Sequence, residues 1–93
     1  MYAVIRAYPG NSELADKLAE REGDVRQLLT GIDGFKAYYL LKLTEGTSTI
    51  SVFDDQAGAD ESTRVAAAWL AENLPDLNVA PPYVTAGEVT IAF

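Results

Sequence analysis

The sequence predicts one α+β domain, a four-stranded antiparallel sheet with two helices on one face. Three observations predict it. The 93 residues leave room for a single domain spanning 1–93. Apolar residues alternate with period two in four stretches and recur at helical spacing in two others. These stretches run strand, helix, strand, strand, helix, strand, the split βαβ order of ferredoxin-like folds.

Residues 1–8 form the first strand, with Tyr2, Val4, Arg6 and Tyr8 on one face and Ala3, Ile5 and Ala7 on the other. Pro9-Gly10 ends it. Asn11 or Ser12 then caps a helix, and Glu13 suits the positive end of its dipole. Leu14, Leu18, Val25, Leu28, Leu29 and Ile32 supply the apolar face. Gly23 costs this helix about 1 kcal/mol relative to alanine, and the helix is expected to continue through it. Gly31 is expected to be the left-handed cap at its exit. Phe35 to Leu43 is the second strand, with Phe35, Ala37, Tyr39, Leu41 and Leu43 on one face and Lys36, Tyr38, Leu40 and Lys42 on the other. A turn at Glu45-Gly46 leads to the third strand, Thr47 to Phe53, completing an antiparallel hairpin. Asp54 and Asp55 offer caps for a second helix over 57–73, with Val65, Ala66, Trp69, Leu70 and Leu74 as its stripe and Pro75 as its stop. After a loop containing Pro81-Pro82, the last strand is expected over 88–93.

Two helices can cover only one face of such a sheet. In either phase Tyr2, Val4, Tyr8, Tyr38 and Leu40 lie opposite Ala3, Ile5 and Tyr39, and neither set is polar. A second copy is the simplest cover for the remaining face, so a homodimer is expected. Leu40 is placed in that interface. A usual interface of ~800 Å² per partner returns more than the ~4–15 kcal/mol that association costs.

Composition excludes several functions. Hydrophobic residues at 48% and charged residues at 23% are ordinary for a folded domain. The net charge of −7, with seven scattered basic residues, argues against nucleic acid and anionic membrane partners. There is no cysteine for disulfide, thiol or thiolate–metal chemistry. Met1-Tyr2-Ala3-Val4-Ile5-Arg6 reads as a strand and not a signal peptide, and no apolar run approaches the ~20 residues of a membrane span. A cytoplasmic location is expected.

The whole chain resembles the dimeric α+β barrel superfamily, and within it the antibiotic biosynthesis monooxygenase-like domains. Three segments carry the resemblance: the opening Tyr2-Ala3-Val4-Ile5-Arg6, the turn Gly31-Ile32-Asp33-Gly34-Phe35, and the stretch after strand three. In that stretch Asp54-Asp55 leads into Glu61-Ser62, Ala66-Ala67-Ala68-Trp69 and Leu74-Pro75. The resemblance implies a fold far more than a reaction, since family members include cofactor-free monooxygenases, haem-degrading enzymes and domains without known activity. Haem degradation by the family's route needs a histidine ligand and a strand-one asparagine, and Arg6 and Ala7 occupy that part of the strand here.

Four residues are candidates for a ligand pocket: Arg6, Tyr8, Tyr38 and Trp69. Strand alternation puts Arg6 on an inward face, where it anchors a phenolate, carboxylate or enolate, or else pairs with a carboxylate of the protein. Tyr8 and Tyr38 orient a ligand hydroxyl or pack as cross-strand neighbours. Trp69 looks like the tryptophan that some family monooxygenases keep near substrate; its other reading is core packing. The acidic cluster Asp54, Asp55, Asp60 and Glu61 matches no calcium loop and suits a helix start, so no metal is expected. No nucleophile–base pair and no glycine-rich phosphate loop is legible. The expected function is a non-catalytic dimeric binding or structural domain without cofactor. The alternative is a cofactor-free monooxygenase-like or isomerase-like enzyme for an aromatic or apolar small molecule.

Overall fold

Strand β1 (Tyr2–Pro9) opens the chain and stops at a proline that has no N–H to give a ladder. In a computed structural model, which describes residues 1–93, it is followed by helices α1 (Glu13–Glu20) and α2 (Glu22–Thr30). Then come strands β2 (Phe35–Leu43) and β3 (Gly46–Phe53), helix α3 (Gln56–Asn73), a 3-10 turn over Pro75–Leu77 and strand β4 (Tyr83–Glu88). The strands form one antiparallel sheet in the order β2-β3-β1-β4. This is the ferredoxin-like arrangement the element order predicts.

Local details differ from expectation, each for a physical reason. The first helix does not run through; it breaks at Arg21 (φ −111°, ψ 32°), two residues before Gly23. The break lets the Arg21 side chain reach α3, where it lies 5.1 Å from the Trp69 ring centroid and donates to Asn73 Oδ1 at 3.2 Å. Asn11, not Ser12, caps α1, its Oδ1 accepting from the Leu14 N–H at 3.2 Å. Gly31 stays right-handed at φ −76°. The left-handed residue is Gly34 (φ +81°), where an added Cβ would press on Asp54 at 3.1 Å. Asp55 caps α3 by accepting from Gly58 N–H at 3.2 Å.

Two corrections concern strands. A bulge between Phe35 and Ala37 reverses the phase of β2, so Phe35 joins Tyr38 and Leu40 on the helix side. The last strand lies over Tyr83–Glu88 and not 88–93. β1 is its only partner, and β1 begins opposite Glu88, so the ladder has no template beyond that residue except a Val89 N–H to Met1 carbonyl bond.

The helices cover the face that carries Val4, Arg6 and Tyr8. Tyr8, Leu14, Leu18, Val25, Leu29 and Leu70 form one buried cluster, and Val4, Phe53 and Ala59 a second. Leu40 packs against the first, so it lies under the helices and not in an interface as expected. The opposite face is bare, with Ile5, Tyr39, Leu41 and Leu43 between 39% and 59% exposed.

Candidate functional site

β3 reverses the usual alternation. Thr47, Thr49, Ser51 and Phe53 point inward and are buried, while Ile50 and Val52 point toward the bare face. The inward hydroxyls have a reason to be there. Register places Arg6 directly opposite Thr49, and Val4 opposite Ser51. Arg6 is 2% exposed, and its guanidinium extends across the sheet into this row of hydroxyls. It donates to Ser51 Oγ at 2.9 Å, Ser62 Oγ at 3.0 Å and Thr63 Oγ1 at 3.1 Å. Ser62 in turn donates to the Ala59 carbonyl at 2.7 Å, which fixes it as an acceptor for Arg6.

All of these partners are neutral. None of the six ion pairs in the molecule includes Arg6. Within one chain, then, Arg6 pairs with no carboxylate; a carboxylate of a second copy was the other half of that reading. Taking a charge out of water costs several kcal/mol. Three hydrogen bonds to a charged donor, at ~1.5–3 kcal/mol each, offset much of that cost without neutralising the charge.

Arg6, Tyr8, Tyr38 and Trp69 meet around one cavity of ≈ 30 Å³ between sheet and helices, whose wall also includes Thr49. A larger groove of ≈ 490 Å³ lies outside, between α1, α2 and β2, and shares Leu18, Val25, Leu29 and Tyr38 with the cavity wall. Those four side chains are the partition between the two spaces. Trp69, half-buried, closes the cavity toward α2, with Arg21 stacked on it.

Burial pushes the Tyr38 phenol up to about 12, with the positive Arg6 opposing the shift and Tyr8 adding to it. Tyr8 is raised for the same main reason, again opposed by Arg6. Burial lowers Arg6 from its usual value, while Tyr8 and Tyr38 pull it back up. Both phenols thus hold their protons at neutral pH. A phenol held neutral by the fold stabilises it fully below pH 10, and that contribution fades as pH rises from 10.0 toward about 12. For Tyr38 it amounts to roughly 2–3 kcal/mol. The denaturant midpoint of wild type should fall relative to that of Tyr38→Phe across this range. A parallel fall in both proteins would contradict the assignment.

No protein-family model matches the sequence. No curated protein matches it either. Solved structures do match. A protein of unknown function from Nitrosomonas europaea superposes with a TM-score of 0.72 at 21% identity, covering 99% of this chain and 91% of that one. A Deinococcus radiodurans protein assigned to the antibiotic biosynthesis monooxygenases gives 0.69 at 18% identity, covering 100% and 96%. A Streptomyces coelicolor monooxygenase held with the ligand nanaomycin D gives 0.71 at 18% identity, covering 99% and 89%. The fold is that of the antibiotic biosynthesis monooxygenase-like proteins. At these identities the likeness speaks of backbone and not of chemistry.

Sequence reasoning named Arg6, Tyr8, Tyr38 and Trp69 but missed Ser51, Ser62, Thr63 and Thr49. The signal was present in Thr47, Thr49 and Ser51, which alternate against Ile50 and Val52 on a strand that ends at buried Phe53.

Proposed function

We propose that this chain is a homodimeric, cytoplasmic small-ligand-binding domain that takes a planar aromatic molecule between its sheet and helices. The carrying observation is the convergence of Arg6, Tyr8, Tyr38 and Trp69 on one cavity beside a groove of ≈ 490 Å³. That volume lies in the ~300–1,000 Å³ range of ligand sites. Displacing Tyr38 or Leu29 from the partition joins the two spaces, giving a ring room in the groove and its polar end access to the interior. Binding is favoured over catalysis by the proton inventory. The cavity wall contains no carboxylate, the chain has no histidine, and both phenols keep their protons, so the interior offers no general base, and the one carboxylate lining the groove is Glu22.

The bare sheet face supports the dimer. Ile5, Tyr39, Leu41 and Leu43 on it are exposed, and Ile50 and Val52 add apolar surface between them. Contiguous apolar surface of this kind marks an interaction site.

Trp69 is the sole tryptophan and lines the cavity, so its fluorescence reports occupancy. Titration with a set of small phenols and aromatic acids should give a saturable change with at least one member. A flat response from every member, with calorimetry also silent, removes the ligand reading. The enzyme reading is favoured by the Streptomyces coelicolor monooxygenase, which shares this fold and holds the ligand nanaomycin D. Oxygen uptake that requires both the folded protein and a bound phenol would move this chain from binder to cofactor-free oxygenase.

A further inference from the structure

The interior around Arg6 holds a full positive charge and no negative group. A guanidinium offers about five N–H groups, and Arg6 engages three of them, on Ser51, Ser62 and Thr63. Ser51 accepts from Arg6 and donates its own hydrogen to no other side chain or backbone group. The Tyr8 and Tyr38 phenols are protonated and line the same space. Beside Arg6 in register stands Thr49, 3% exposed, whose Oγ1 has no hydrogen-bond partner. A buried hydroxyl without a partner costs about 1–3 kcal/mol. Threonine on a strand would be replaced by valine at no loss of shape, so this hydroxyl needs a reason of its own.

Water filling this space would pair the hydroxyl but leave the charge uncompensated, because it is neutral. A small anion compensates it. The cavity of ≈ 30 Å³ has space for about two water-sized atoms. Two acceptor atoms on one small negative group match both that space and the charge left on Arg6. A single phenolate oxygen would fill half of it.

We propose that the buried juxtaposition of Arg6 and the unpartnered Thr49 hydroxyl is a carboxylate site, so that the ligand is a small planar acid bound by its anionic head. Arg6 carries the charge complementarity and Thr49 selects the second oxygen. The ring points past Tyr38 and Leu29 into the groove. This rests on the ligand reading above for the ring, while the head-group site needs only the cavity.

The test compares benzoate with its neutral isostere benzamide on wild type and Thr49→Val, by Trp69 fluorescence and calorimetry. Thr49→Val removes a hydroxyl that bonds nothing in the free protein, so its melting temperature should be unchanged or higher. Benzoate should bind wild type at least about tenfold more tightly than benzamide, and Thr49→Val should lose about tenfold toward benzoate alone. Arg6→Met should abolish benzoate binding, and near-ultraviolet circular dichroism reports whether that variant folds. If benzamide binds as well as benzoate, the carboxylate site is wrong and the ligand reading stands. If neither binds, the ligand reading fails, and formate decides the site. A rise in melting temperature with formate in wild type that Thr49→Val lacks supports it, and an equal response in both proteins overturns it.

Discussion

Ile5→Arg and Leu41→Arg are each expected to convert a dimer into a folded monomer. Ile5 is 41% exposed on the central strand β1, and Leu41 is 39% exposed on β2, both on the face the helices leave bare. A second copy seated there buries on the order of 800 Å² per partner. An unpaired guanidinium at the centre of such a contact costs roughly 3–5 kcal/mol, or a few hundred-fold to a few thousand-fold in dissociation constant. The fold should survive, because neither residue belongs to either buried cluster. Light scattering should therefore fall toward the monomer mass of 10.0 kDa while circular dichroism stays the same. Leu40→Arg is the control, since Leu40 packs under the helices and its replacement should unfold the chain instead. Wild type already at 10.0 kDa at micromolar concentration would end the dimer proposal.

The element order and the helical layer on one face of the sheet were legible in the sequence because they depend on periodicity, which survives small local errors. The features that were not legible depend on contacts between distant segments. The break at Arg21 carries no proline or cap signal; it follows from what Arg21 reaches on α3, 52 residues further on at Asn73. The bulge at β2 is invisible in Phe35-Lys36-Ala37, yet it decides which face Phe35 joins. The end of β4 is set by where β1 starts. Alternation alone placed Arg6, Tyr8 and Tyr38 on one face, and helical spacing pointed Trp69 at them. The hydroxyl partners were missed because the faces of the third strand were not assigned, and the ordinary apolar-inward rule would have turned Ile50 and Val52 toward the helices. In the structure both exceptions to that rule matter: the polar residues inside hold Arg6, and the apolar residues outside form the bare face.

Phe53→Ala should be the most damaging single truncation, and Gly58 explains why. Phe53 is fully buried, its ring edge-on to Phe35 with centroids 5.8 Å apart. Removing such a ring costs about 3–5 kcal/mol, a large share of the ~5–15 kcal/mol that holds a domain together. Helix α3 comes close enough to β3 that a Cβ on Gly58 would lie 2.9 Å from Phe53 Cδ1 and 3.0 Å from its Cβ and Cγ. Gly58→Ala would gain helix propensity worth at most about 1 kcal/mol. It would still be a net loss, because overpacking costs about 1–3 kcal/mol. This contact sets how deeply α3 sits on the sheet, and the Arg6 site depends on that depth. Ser51 lies two residues before Phe53 on β3, and Ser62 lies four residues after Gly58 on α3; both must reach the same guanidinium, at 2.9 and 3.0 Å. Phe53→Leu should therefore relieve part of the Gly58→Ala penalty, with the double variant more stable than the sum of the singles predicts. Denaturant midpoints of the four proteins measure that coupling, and strict additivity would show that the close approach does not govern the seating of α3.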